Sequence, residues 1–383
     1  MNGLAALLAG ALLAIGLSVA AGGQAGPGEK ATEPQRAAAP LFRISFQRGE
    51  AVQGLSASPV IIPPFQCTSD GTVFISMLRP PDFQGQILTS VSTSREARAF
   101  ELSQVPELFD LSEVSHYASD SGVVFLVRAA HKNDQTKQGF VTSDGTRGEF
   151  PRNAAEHSFF IVTFDRAGKY TKTVQVENSF RILRLGAFPS GLLLAYGYAE
   201  EDSSPRLALL KDDGTLLKFI QVPDGVAPQA ALAKDAKAKS AARFIAPVQM
   251  VGRGGLIYLV QNKTSFPILE VSEAGAARPI GPQLPAGVQI NMLVSSDDDL
   301  YARVGETSEG SIYELSSEDG TVIKRFEVVN DESGADIACI HDGKFLSFEH
   351  GSGTLIPLVG TPEPVGAKAV VGPQKSKAIG PSN

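Results

Sequence analysis

Residues 316–328, SSEDGTVIKRFEV, set an Asp-Gly pair ahead of alternating apolar and polar residues. Asp-Gly favours a hairpin turn because glycine accepts positive φ, and a period of two suits a half-buried strand. Residues 210–223, LKDDGTLLKFIQVP, repeat the arrangement upstream. Two further copies of the slot are FDRAGKY (164–170) and SEAGAAR (272–278), and a strand-like run precedes each of the four. These are read as the outer turns of a recurring unit.

A second turn recurs upstream of these, as TSDGTVFISM (68–77), SDSGVVFLV (119–127), FPSGLLLAYGY (188–198), GRGGLIYLV (252–260), SDDDLYARV (296–304) and HDGKFLSF (341–348). The inner Gly191, Gly255 and Asp299 lie 23, 20 and 21 residues before the outer Gly214, Gly275 and Gly320. That interval holds two strands and a loop. The inner turns at Gly255, Asp299 and Gly343 follow one another at 44 residues, within the range of a four-stranded propeller blade. Longer intervals carry insertions: polar residues 128–157, and 224–244, whose Ala and Lys content favours a short surface helix.

Six units are expected, at 65–105, 112–176, 180–223, 244–285, 289–329 and 335–366. A four-stranded unit has two apolar faces and exposed edges, and such units bury both by packing around an axis. The sixth has no clear outer turn or outer strand, while LFRISFQ (41–47) is a strand with no unit of its own. The expected fold is therefore all-β: a six-bladed β-propeller of four-stranded antiparallel blades, closed by the N-terminal strand. Pro63-Pro64 leaves too little room for a seventh blade in 41–64.

Composition narrows function by exclusion. The chain has 383 residues and a net charge of −7, with 34 basic residues spread along it. No basic face is available for a phosphate backbone, so nucleic acid is not an expected partner. Residues 1–25 read as a cleaved signal peptide built on an uncharged run from Gly3 to Ala21; retention as a membrane anchor is the other reading. Residues 26–40 read as a linker, 41–366 as the propeller and 367–383 as a disordered tail. The protein is expected to be exported, periplasmic or extracellular.

The inner turn, strand pair and outer Asp-Gly turn, recurring behind a leader, resemble the six-bladed β-propeller superfamily of secreted bacterial proteins, in the NHL-like and TolB-like style. The resemblance spans residues 41–366 and rests on generic strand and turn chemistry, without the signature of one family. The absence of Trp excludes a regular WD-type repeat. Architecture is what the resemblance implies, since such propellers include enzymes, ligand binders and scaffolds.

Cys67 and Cys339 stand three residues before Asp70 and Asp342, at equivalent positions of the first and last units. An oxidising compartment would allow a bridge if their Cα atoms come within about 7 Å; two buried thiols are the alternative. The five histidines have no metal-ligand spacing, and no GxSxG, GxGxxG or GxxxxGK[ST] occurs. Candidate binding residues are those near the entries to the inner strands, at one axial mouth: Glu113, His116, Arg181, Arg184, Gln249, Asn291 and Asp336. The favoured reading is a monomeric, non-catalytic propeller without a cofactor, binding a protein, peptide or glycan. The alternative is a hydrolase or lactonase-like enzyme with calcium or another divalent metal on Glu113, Asn291 and Asp336.

Overall fold

The computed structural model describes residues 39–53, 55, 60–78, 86–132, 136–152, 157–176, 180–199, 205–223, 249–260, 268–281, 290–296, 299–304, 311–329, 337–349 and 354–365. The leader and most of the linker, the Ala/Lys segment and the C-terminal tail fall outside these residues. So does Asp336.

What is described is all-β, a propeller-like arrangement of four-stranded antiparallel sheets. The first contains β2 (Val60–Cys67), β3 (Val73–Leu78), β4 (Gln86–Val91) and β5 (Ala97–Phe100) in chain order. The second contains β6 (Leu108–Ser119), β7 (Gly122–His131), β10 (Ser158–Asp165) and β11 (Tyr170–Gln175), with a separate hairpin of β8 (Thr136–Val141) and β9 (Arg147–Arg152) between β7 and β10. The polar insertion thus starts later than the sequence suggests, because Ala129 and Ala130 stay buried and carry β7 on to His131. The third sheet is β12 (Phe180–Ala187), β13 (Leu193–Ala199), β14 (Pro205–Leu210) and β15 (Leu216–Ile220); the fourth is β16 (Gln249–Arg253), β17 (Leu256–Val260), β18 (Ile268–Ser272) and β19 (Ala277–Ile280).

The remaining strands form one eight-stranded sheet with two antiparallel halves. One half is β20 (Ile290–Ser295), β21 (Leu300–Val304), β22 (Ser311–Leu315) and β23 (Val322–Val329). The other is β24 (Ile337–His341), β25 (Lys344–Glu349), β26 (Ile356–Pro364) and the N-terminal β1 (Leu41–Arg48). β1 pairs antiparallel with β26, from Phe42↔Pro364 to Arg48↔Leu358. It also pairs parallel with β23, from Leu41↔Arg325 to Ser45↔Val329, and this contact fuses the halves at the rim.

Burial explains the strand sequences. The second strands β3 and β21 are covered on both faces, so VFISML and LYARV are predominantly apolar and do not alternate. The fourth strands β15 and β23 are less covered, with Ile220 and Phe326 their buried residues. Apolar clusters lie between neighbouring units: Phe74, Phe100 and Phe125 between the first two, Tyr258 and Leu300 between the fourth and fifth, Phe65, Ala338 and Phe348 between the last and the first. The innermost strands touch in succession, β2 to β6, β12, β16, β20 and β24, and β24 touches β2.

The outer turns differ in detail from a two-residue Asp-Gly hairpin. Only the glycine takes positive φ at Gly320 (φ 73°), and its N–H donates to Ser316 O while Ser316 N–H donates to Thr321 O. The aspartate acts through its side chain. In each of the four Asp-Gly-Thr triplets, at Asp70, Asp144, Asp213 and Asp319, a carboxylate oxygen accepts the threonine N–H two residues on. The first sheet has an outer turn that sequence reading misses, because Arg95 (φ 68°) stands where the others have glycine.

A cation on an outermost strand then reaches the outer turn of the next unit. Arg98 Nη1 donates to Arg166 O (3.0 Å) and Lys172 Nζ to Asp212 O (2.9 Å). Lys218 Nζ donates to Ala274 O, and Arg278 to Ser317 O and Glu318 O. Lys324 follows a unit beyond which β1 takes the place of an outer hairpin. It bonds instead to both carboxylate oxygens of Glu314 in its own sheet, at 2.8 and 3.0 Å.

Candidate functional site

The six innermost strands each lie at the edge of their sheet, so their inner edges lack the ladder partners a continuous sheet would supply. Two glutamine amides supply some. Gln66 Nε2 donates to His116 O (3.3 Å) and Gln66 Oε1 accepts from Ala118 N–H, joining β2 to β6. Gln249, 3% exposed, donates from Nε2 to Phe65 O (3.3 Å) and accepts at Oε1 from Leu293 N–H (2.8 Å). It thereby links β16 to β20 beside it and to β2, three units away around the axis.

Above Gln249, toward the inner turns, lies a cavity of about 410 Å³ to which all six innermost strands or their turns contribute. Its inner part is apolar, with Phe65, Met250 and Leu293. Its mouth is polar. Thr68 Oγ1 donates to Asp70 Oδ1 (2.9 Å), Ser69 N–H donates to Asp120 Oδ1 (3.0 Å), and the Ser119 and Ser121 hydroxyls bond each other (2.8 Å). Burial alone would raise the Asp70 carboxyl, yet hydrogen bonds from Thr68, Thr72 and Arg166 hold it down at about 2.

Tyr117 is 3% exposed and lines the cavity. Its hydroxyl rests against Gly252 on the facing wall, where an added Cβ would stand 2.0 Å from the phenolic oxygen. Ser295 Oγ fixes that stretch of wall by donating to Gly252 O (2.9 Å). Burial, and then the charge of Asp120, push the Tyr117 phenol upward, so it keeps its proton at neutral pH. Cys67 is also in the wall, bonded to Cys339 of β24 with Cα atoms 5.3 Å apart.

Of the candidate binding residues, Gln249 lines this cavity, whereas Glu113, His116, Arg181, Arg184 and Asn291 are not among its lining residues. Glu113 and His116 pair at 2.8 Å with side chains 11% and 12% exposed. Arg184 joins them from β12, donating to Val114 O (3.3 Å) and Leu183 O (3.0 Å). Burial lowers its guanidinium while the Glu113 charge raises it. Arg181 is exposed and pairs in register with Tyr198, and Asn291 is exposed on β20. Among the described residues no three His, Cys, Asp or Glu side chains converge as metal ligands.

The lining residues Thr68, Tyr117, Asp120 and Ser295 escape sequence reading because each falls in or beside an inner turn, where it reads as turn chemistry. The recurrence of those turns carries the missed signal: structurally equivalent turns must meet at one end of the axis.

No family model matches the chain, and no curated protein matches it. Solved structures similar to it are β-propeller-like. Virginiamycin B lyase from Staphylococcus aureus is 13% identical with a TM-score of 0.40, over 82% of this chain and 99% of that one. Puromycin hydrolase is 10% identical with a TM-score of 0.41, over 83% of this chain and 54% of that one. A DUF4623 family protein from Bacteroides eggerthii is 11% identical with a TM-score of 0.39, over 78% and 71%. Likeness at this level concerns the fold alone.

Proposed function

We propose that the chain is an exported six-bladed β-propeller that binds a ligand in its axial cavity without turning it over. The observation that carries this reading is a single cavity to which all six innermost strands or their turns contribute. The six-bladed ring is supported by the closed succession of contacts from β2 to β24 and back, and by β1 as fourth strand of the last unit. Export is supported by the leader-like N-terminus and by the Cys67–Cys339 disulfide, which suits an oxidising compartment.

Binding without chemistry fits the lining. Among the described lining residues, the serine hydroxyls at 119 and 121 bond one another, Cys67 is bridged, and no histidine is present to activate either type of group. The cavity falls in the size range of ligand sites, with an apolar interior and polar rim. A peptide suits it better than a glycan. Sugars stack on exposed aromatic faces, and the two aromatic rings here, Phe65 and Tyr117, are 1% and 3% exposed.

The test is the melting temperature of the full chain with panels of short peptides and oligosaccharides, beside Ser121→Trp, which places a bulky group at the exposed rim. A ligand at 100 times its Kd should add about 2.7 kcal/mol to wild-type stability and nothing to the variant. Silence across both panels, or conversion of a panel member to product, defeats the reading.

A further inference from the structure

The phenolic oxygen of Tyr117 stands out among the polar groups of the cavity. The residue is 3% exposed, and among the described residues no hydrogen bond engages its hydroxyl. The residue lines the cavity, so a ligand atom can meet the hydroxyl there. Three residues on, in the inner turn that follows β6, is Asp120, exposed, with one carboxylate oxygen engaged by Ser69 N–H. On the inner side is Gln249, whose amide keeps one N–H and one lone pair beyond those given to Phe65 and Leu293.

These three groups form a graded series of acceptors: a carboxylate at the mouth, a phenolic oxygen below it and an amide at the floor. We propose that the cavity receives the N-terminal end of a short peptide, its ammonium held between Asp120 and the Tyr117 hydroxyl and its first amide within reach of Gln249. An ammonium brings several N–H donors to one point, which is what a carboxylate and a phenolic oxygen can jointly accept. Because Gln249 ties β16 to β2 across the axis, the cavity is closed below and accepts a chain end, not a threaded chain. The lining also includes one cation, Arg253, whose charge acts on the Tyr258 phenol.

This inference rests on the binding reading above, and the test separates the two. Trialanine, N-acetyl-trialanine and trialanine amide are titrated calorimetrically into the full chain and into Asp120→Asn and Tyr117→Phe. Free trialanine should bind, acetylation should weaken it at least about ten-fold, and amidation should leave it nearly unchanged. Asp120→Asn, which keeps an acceptor for Ser69, should abolish the difference between free and acetylated peptide. Tyr117→Phe should weaken free trialanine several-fold without lowering the melting temperature, since no internal bond is lost. Equal affinity for free and acetylated peptide, or a loss caused by amidation alone, overturns the ammonium inference and leaves the binding reading standing. Binding of oligosaccharides in place of all three peptides overturns it in the same way, whereas silence of the wider panels removes the binding reading itself.

Discussion

Gly252 lies where two demands meet: its backbone forms the cavity wall, and its missing side chain makes room for a tyrosine hydroxyl. Gly252→Ala would set a Cβ 2.0 Å from Tyr117 Oη, so the wall or the ring must shift. A loss of about 1–3 kcal/mol is expected in urea unfolding, with much of it recovered in Gly252→Ala/Tyr117→Phe, because removing the oxygen removes the collision. Full additivity of the two changes would show that they do not meet. Gln249→Leu should cost about 2–3 kcal/mol, because Phe65 O and Leu293 N–H would stay buried without their amide. Asp70 bears on acid stability. Its folded value of about 2 lies below the ordinary 3.8, so its contribution is present above pH 4 and is lost as pH falls through that interval. Asp70→Asn should therefore flatten the stability profile between pH 4 and 2. At this scale the sequence is legible for turns, where Asp-Gly-Thr states its own chemistry, and silent for Tyr117, whose significance depends on a glycine more than a hundred residues away.

At the scale of the strand, the innermost strands explain why the axial residues resist counting. Five of the six have a register shift, between Ile62 and Gln66, Glu113 and Ser115, Ile182 and Arg184, Ile290 and Met292, and Ile337 and Cys339. A bulge adds a residue and reverses which face the preceding side chains occupy. Glu113, Arg181, Arg184 and Asn291 all sit at or before such a shift, so their offsets from the turns do not report where they point. Gln249, on the strand without a shift among its described residues, is the candidate that reaches the cavity. The outer strands shift register as well, between Thr163 and Phe164, Leu209 and Leu210, and Glu314 and Leu315, next to their turns. Their latches, from Arg98 to Arg278, bond exposed cations to carbonyls, and Lys172→Ala should change stability by less than about 1 kcal/mol. Arg278→Ala should cost more, about 2–3 kcal/mol, because Arg278 also bonds to Glu270, a carboxylate only 8% exposed. Equal losses in the two variants would contradict this account.

For the molecule as a whole, closure rests on two ties that bring the ends of the chain together. The disulfide joins the first sheet to the last across 272 residues of sequence. Cys67→Ser/Cys339→Ser should lower stability by about 2–5 kcal/mol, read as a shift of the denaturation midpoint, and a midpoint unchanged by the double substitution would show that the strands alone hold the seam. The second tie is β1, with Ile44 fully buried between its two partners. The rhythm of inner and outer turns makes the units and the role of β1 beside β26 legible from sequence. Its parallel pairing with β23 is not, since nothing in LFRISFQ distinguishes one partner from two.

That pairing sets an order of events. β1 is synthesised well before the strands that hydrogen-bond to it, Arg325–Val329 and Leu358–Pro364, because four complete sheets lie between them in the chain. Partners so distant in sequence make the final step of folding slow relative to local hairpin formation. Until it occurs, β1 offers two bare edges of the kind that invite pairing with another chain. A chain stopped before Ile356 would never acquire β26 and would keep that edge of β1 open, so the seam distinguishes molecules that have reached Pro364 from those that have not.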